Sequence, residues 1–113
     1  MNGSVHIRDG RYRMVTHVAD DGWVGWTDPS LYDLPEHSCS PTTWRRWVSK
    51  AVLVDPLRLR VVTEVEARVV AVVVANEDER LWLTLLDRAR EERKVVWQVV
   101  LEHGHPAFWP PKA

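Results

Sequence analysis

Cysteine is nearly absent from this chain of 113 residues, and the single Cys39 has no internal partner, so no disulfide can staple the fold. Glycine is also sparse: its five copies stand alone at positions 3, 10, 22, 25 and 104. Glycines so isolated spell neither a P-loop nor a dinucleotide fingerprint, which excludes nucleotide binding by those routes. The longest uninterrupted apolar run, Val69 to Ala75, is too short to cross a bilayer. No basic segment leading into an apolar one opens the chain, so a soluble cytoplasmic protein with no membrane partner is expected. Charge of one sign is missing too. Fifteen Lys and Arg face sixteen Asp and Glu, spread evenly along the chain, so composition implies no broad basic surface for nucleic acid or anionic lipid.

What is present is enough for a core. The chain is 45% apolar and 27% charged, and at this length a fold buries roughly two thirds of the surface its unfolded form exposes. A single compact domain over 1–113 is expected. Valine outnumbers isoleucine nineteen to one and arginine outnumbers lysine twelve to three, the codon bias of a GC-rich bacterial or phage genome. Asn, Gln, Cys and Met together supply only six residues, which is compatible with a thermophilic source. Seven tryptophans against one phenylalanine and two tyrosines is the strongest bias. An indole needs a partner for its N–H when buried and anchors interfaces when exposed, so these rings are expected to pack against something rather than serve reacting groups.

The pattern along the chain predicts an α+β fold that opens on an antiparallel, small barrel-like β-meander. Val5 to Arg8 reaches Asp9-Gly10, a strong hairpin dipeptide, and residues 11–18 then alternate, with Tyr12, Met14, Thr16 and Val18 on one face. Asp20-Asp21-Gly22 turns the chain into Trp23 to Trp26. Residues 27–40 read as a long loop pinned by Leu31, Tyr32 and Leu34. A helix over about 41–50 follows, with Ser40 as N-cap, Pro41 at N1, Cys39 stapling toward Trp44, and Trp44, Trp47, Val48 and Ala51 facing inward.

Val52 to Val54 reads as a short strand stopped by Asp55-Pro56. From Leu57 to Val74 the apolar residues fall mostly on odd positions, so strands are expected through 52–74, with a bend near Glu64 to Arg68. An N-cap at Asn76 with Glu79 three residues on predicts a helix over about 77–93 whose face is Leu81, Trp82, Leu85, Leu86 and Ala89. Residues 95–101 read as a final buried strand, which would make a parallel pair through that helix. The Pro-rich stretch 103–113 reads as an extended tail presenting Phe108 and Trp109.

Chemistry-bearing groups are thin. His103 and His105 share a spacing but lack a third ligand, and Cys39 with His37 lacks an orienting acid, so no metal, cofactor or catalytic residue is expected from them. The order αβββαβ, with Val62-Thr63-Glu64-Val65-Glu66 and an upstream Asp55, resembles the core of the PD-(D/E)xK nucleases. That resemblance implies Mg²⁺ held by Asp55 and Glu64, with Glu66 where the family's lysine stands. It covers only the later half of the chain. The alternative for those residues is a solvated strand face of alternating Arg and Glu.

Nucleic-acid binding without catalysis would use Arg8, Arg11 and Arg13 at the hairpin and Arg45 and Arg46 beside the helix tryptophans. Helical spacing separates those two arginines from the indoles. By elimination the expected function is a non-catalytic interaction module of adaptor, inhibitor, immunity or assembly type. Its partner would be a protein or a second copy, met through Trp23, Trp26, Leu31, Tyr32, Phe108 and Trp109.

Overall fold

A computed structural model describes residues 3–31 and 33–111 and establishes the α+β class, with a sheet and one helix before Asp55 and helices after Pro56. The two parts form separate units, divided between Asp55 and Pro56.

In the first unit the strands are β1 (Val5–Arg8), β2 (Arg11–Val18), β3 (Val24–Thr27), β4 (His37–Cys39) and, after helix α1 (Pro41–Val48), β5 (Val52–Val54). All pairs are antiparallel, in the order β4-β3-β2-β1-β5. The sheet is open, not barrel-like. Asp9 and Gly10 adopt φ of 51° and 76°, the two left-handed residues that a two-residue hairpin needs to match the strand twist. The long loop expected over 27–40 instead contains β4, which pairs with β3.

The even alternation expected along β2 breaks at Thr16. Val15 pairs with Trp26 and His17 with Gly25, so one extra residue lies in β2 against a single step of β3. Such a bulge switches the face of everything beyond it. Tyr12 and Met14 share a buried face, whereas Val18, expected beside them, is exposed. Gly25 answers the bulge, because a Cβ there would collide with the His17 ring and lie 3.0 Å from Thr16 Oγ1.

Helix α1 begins as its sequence predicts, with Thr43 N–H donating to Ser40 Oγ at 3.2 Å and Pro41 at its first position. Trp44, Val15 and Val24 are buried together, and Trp26, Cys39, Trp47 and Val48 close around them.

The second unit overturns two expected strands. Residues 64–74 belong to helix α2 (Glu64–Glu77), and 96–101 belong to helix α4 (Val96–His103), with α3 (Glu79–Glu92) between them. No parallel pair exists, since no strand is found from Pro56 onward among the described residues. β-branched residues favour strands only where a pleated surface receives them. Here Ala67, Val70, Ala71 and Val74 also fall at i, i+3, i+4 and i+7, and that stripe packs with Leu85, Ala89, Val99 and Val100 into one core. The odd-numbered Leu59 and Val61 still point to this core, but from irregular chain ahead of α2.

Helix α3 is capped by Asp78, whose side chain accepts from Leu81 N–H, not by Asn76, which lies inside α2 and donates to the Val72 carbonyl. Its expected face is otherwise correct: Leu85 and Ala89 are buried, Leu81, Trp82 and Leu86 half-buried. The expected extended tail is folded over much of its length. Gly104 (φ 79°) closes α4, Pro106–Phe108 form a 3-10 turn, and Trp109 packs on the core. No helix among the described residues is long and apolar enough to cross a membrane.

Candidate interaction surface

The α1 face of the sheet gathers residues that are distant in sequence. Pairing of Arg8 with Arg11 and of His6 with Arg13 puts all four on the same side as Val15. Arg13 is thereby wedged between two indoles, its guanidinium carbon 3.9 Å from the Trp26 ring centre and 4.3 Å from that of Trp47. The stack continues at both ends. His37 lies on Trp26 at 4.4 Å, Trp44 on Trp47 at 5.8 Å, and His6 meets Trp44 edge-on at 5.6 Å.

Burial pushes the Arg13 guanidinium below its ordinary pKa, and the positive charges of Arg8 and Arg11 push the same way. Desolvation likewise lowers His6. Arg8 donates at 3.5 Å to the carbonyl of Trp47 at the end of α1. Arg45 and Arg46 are exposed, away from the buried Trp44, as helical spacing required. Hairpin pairing therefore unites Arg8, Arg11 and Arg13, while the two rings nearest to them are already covered by Arg13 itself.

The candidate contact residues divide in fate. Trp23 is 46% exposed at the turn into β3, Leu31 is 47% exposed in the loop before β4, and Phe108 is 67% exposed. Trp26 and Trp109 are half-buried and engaged within their own units. Tyr32 lies outside the described residues. Two residues not anticipated as contacts, Val52 and Leu53 on β5, are 67% and 65% exposed. The available signal was their place in a short apolar strand ending at Asp55-Pro56, where an edge is common.

The nuclease resemblance does not survive. It needs Glu64 and Glu66 on a strand, and both stand in the first turn of α2, where Glu64 pairs with Arg68 at 2.5 Å. Asp55 follows β5 in a different unit. His103 and His105 do not share a strand either: His103 ends α4, and buried His105 accepts from Ala107 N–H to start the 3-10 turn.

Where α3 meets α4, one carboxylate oxygen each from Glu92 and Glu102 and an imidazole nitrogen of His103 lie within 4.8 Å of one another, close enough for a cation. Two fixed cations already serve them. Arg88 Nε donates to Glu92 at 2.8 Å, and Lys94 Nζ donates to Glu102 at 2.6 Å and to Glu92 at 3.4 Å. Trp109 ties the C-terminal segment to the same corner, its Nε1–H shared between the carbonyls of His103 and Gly104 at 2.9 and 3.0 Å.

The hydrogen bonds from Arg88 and His103 hold Glu92 down from 4.5 to about 2, and the Glu102 contact raises Lys94. A depressed carboxylate stabilises the fold above its unfolded pKa and ceases to do so as pH falls through the folded value. The helical unit should therefore lose stability between pH 4.5 and about 2. In Glu92→Gln the gap in melting temperature from the native chain, full at neutral pH, should shrink across that window. A gap independent of pH would show that the charge on Glu92 contributes nothing. No known protein family, curated protein or solved structure matches this chain.

Proposed function

We propose that this chain works by contact, binding a protein partner or a second copy of itself through apolar side chains that its own fold leaves in water. One observation carries the reading. In the sheet unit alone, Trp23, Leu31, Leu34, Val52 and Leu53 are all more than 40% exposed, while Trp26, Trp44 and Trp47 are packed around Arg13 and the core. Single exposed apolar groups are ordinary, but several on the connections and edge of so small a unit suit a surface that is covered in use. An exposed Trp such as Trp23 is a favoured anchor in a partner's pocket, which favours a protein over a charged polymer.

The nucleic-acid alternative has Arg8, Arg11, Arg13, Arg45 and Arg46 to draw on. Its stacking rings, however, are occupied by Arg13, and bases need an open ring face. A photo-crosslinking amino acid placed at position 23, 31 or 53 should give discrete protein adducts in cells, and the same probe at exposed Arg45 should give far fewer. Equal yields at all four positions would refute contact function. DNA affinity that collapses between low and physiological salt would favour the alternative.

A further inference from the structure

Strand β5 is the last on its side of the sheet, and among the described residues nothing pairs with its outer edge. The hairpin determines which backbone groups face outward. Across a two-residue turn the flanking pair, here Arg8 and Arg11, exchanges hydrogen bonds, and alternation makes His6 and Arg13 the next bonded pair. Val5 and Ile7 therefore turn their N–H and C=O toward β5, where they meet Val54 and Val52. Leu53, between those two, directs its own N–H and C=O away from the sheet. Its side chain is also 65% exposed, next to Val52 at 67%. Charge, proline and bulges, which blunt many such edges, are missing from Val52-Leu53-Val54, and its three-residue length is the one feature that limits pairing there.

We propose that β5 pairs antiparallel with β5 of a second copy, about a two-fold axis passing beside Leu53, so that the two sheets join edge to edge. The proposal rests on the contact reading above and names the partner. Self-complementarity argues for a second copy. Under a two-fold rotation the outward N–H and C=O of one Leu53 satisfy those of the other, and Val52 falls beside Val54 of the second copy. Lys50 ahead of the strand and Asp55 behind it are brought toward each other's ends, opposite in charge on both sides of the axis. Three residues per strand make this a reversible pairing.

Sedimentation of the purified full chain from micromolar to millimolar concentration should show the mass doubling. Leu53→Pro removes only the outward donor and leaves the β1–β5 bonds in place, so it should keep the fold by circular dichroism and weaken association by more than about tenfold. Leu53→Asp keeps the donor but sets two carboxylates across the axis, and it should do the same even if the proline variant fails to fold. A native chain that stays monomeric, or a folded Leu53 variant that associates like the native chain, overturns the proposal. Crosslinking at positions 23 and 31 is read separately. Adducts there from a monomeric native chain would remove β5 pairing and leave the contact reading standing, whereas equal yields at the control position would remove the contact reading itself.

Discussion

Leu85→Ala should destabilise the helical unit by about 3 kcal/mol, inside the roughly 2–5 kcal/mol that buried leucine truncations cost. Leu85 is 0% exposed, at the centre of a core whose other buried members are Ala67, Val70, Ala71, Val74, Ala89, Val99 and Val100. Alanine and valine are short and stiff, and none of them reaches far into a void left by the missing isobutyl group. The loss therefore includes a cavity term beside the transfer term. Leu83, two residues away on the same helix and 52% exposed, is the internal control. Its truncation should cost no more than about 0.5 kcal/mol, as is usual for surface positions. Urea unfolding of both variants measures the contrast, and comparable losses at 83 and 85 would mean that the unit does not close on Leu85. Against a typical total of about 5–15 kcal/mol, the larger loss removes roughly a fifth to three fifths of the stability.

Arg13→Ala should cost about 2 kcal/mol and shift tryptophan emission to longer wavelength. The guanidinium lies over two indoles and, among the described residues, has neither an ion pair nor a hydrogen bond, so stacking is what holds it there. Each cation–π contact contributes about 0.5–2 kcal/mol, rising as water is excluded. Removing the side chain also opens the space between Trp26 and Trp47 to water, which accounts for the expected red shift. Arg13→Lys restores the charge but not the planar group that fits between two rings, and should recover less than half of the loss. Full recovery by lysine, or a loss below about 0.5 kcal/mol in the alanine variant, would show that the sandwich is incidental to stability.

The elements that sequence foretold are those with a local physical cause. Asp9-Gly10 supplies left-handed residues, Ser40-Pro41 offers a cap and a preset φ, and the α3 face repeats at helical spacing; each acts within a few residues. The missed elements had ambiguous local text. Residues 64–74 satisfy a two-residue period and a helical stripe at once, and β-branched composition tilted the reading to a strand. Thr63 three residues before Glu66, with acids in the first turn, was the helix signal available, although the Thr63 side chain makes no capping bond. Gly104 with φ 79° was the corresponding stop for α4.

The candidate contact residues follow the same division. The openness of the turns and loops that carry Trp23, Leu31 and Phe108 was legible, and all three side chains are exposed there. The packing of Trp26 was not, because its cover comes from Arg13 and His37 on other strands.

By itself the sequence determined the α+β class, the first hairpin, the capped helix at Ser40 and the inward face of α3, since turns, caps and amphipathic spacing are written in neighbouring residues. Only tertiary structure decided that 64–77 and 96–103 coil rather than extend, that a bulge at Thr16 turns the end of β2 outward, and that Arg13 lies between two tryptophans. The physical reason is common to all three. Each outcome depends on which surface a side chain meets across the fold, and that partner lies too far along the chain for local spacing to specify.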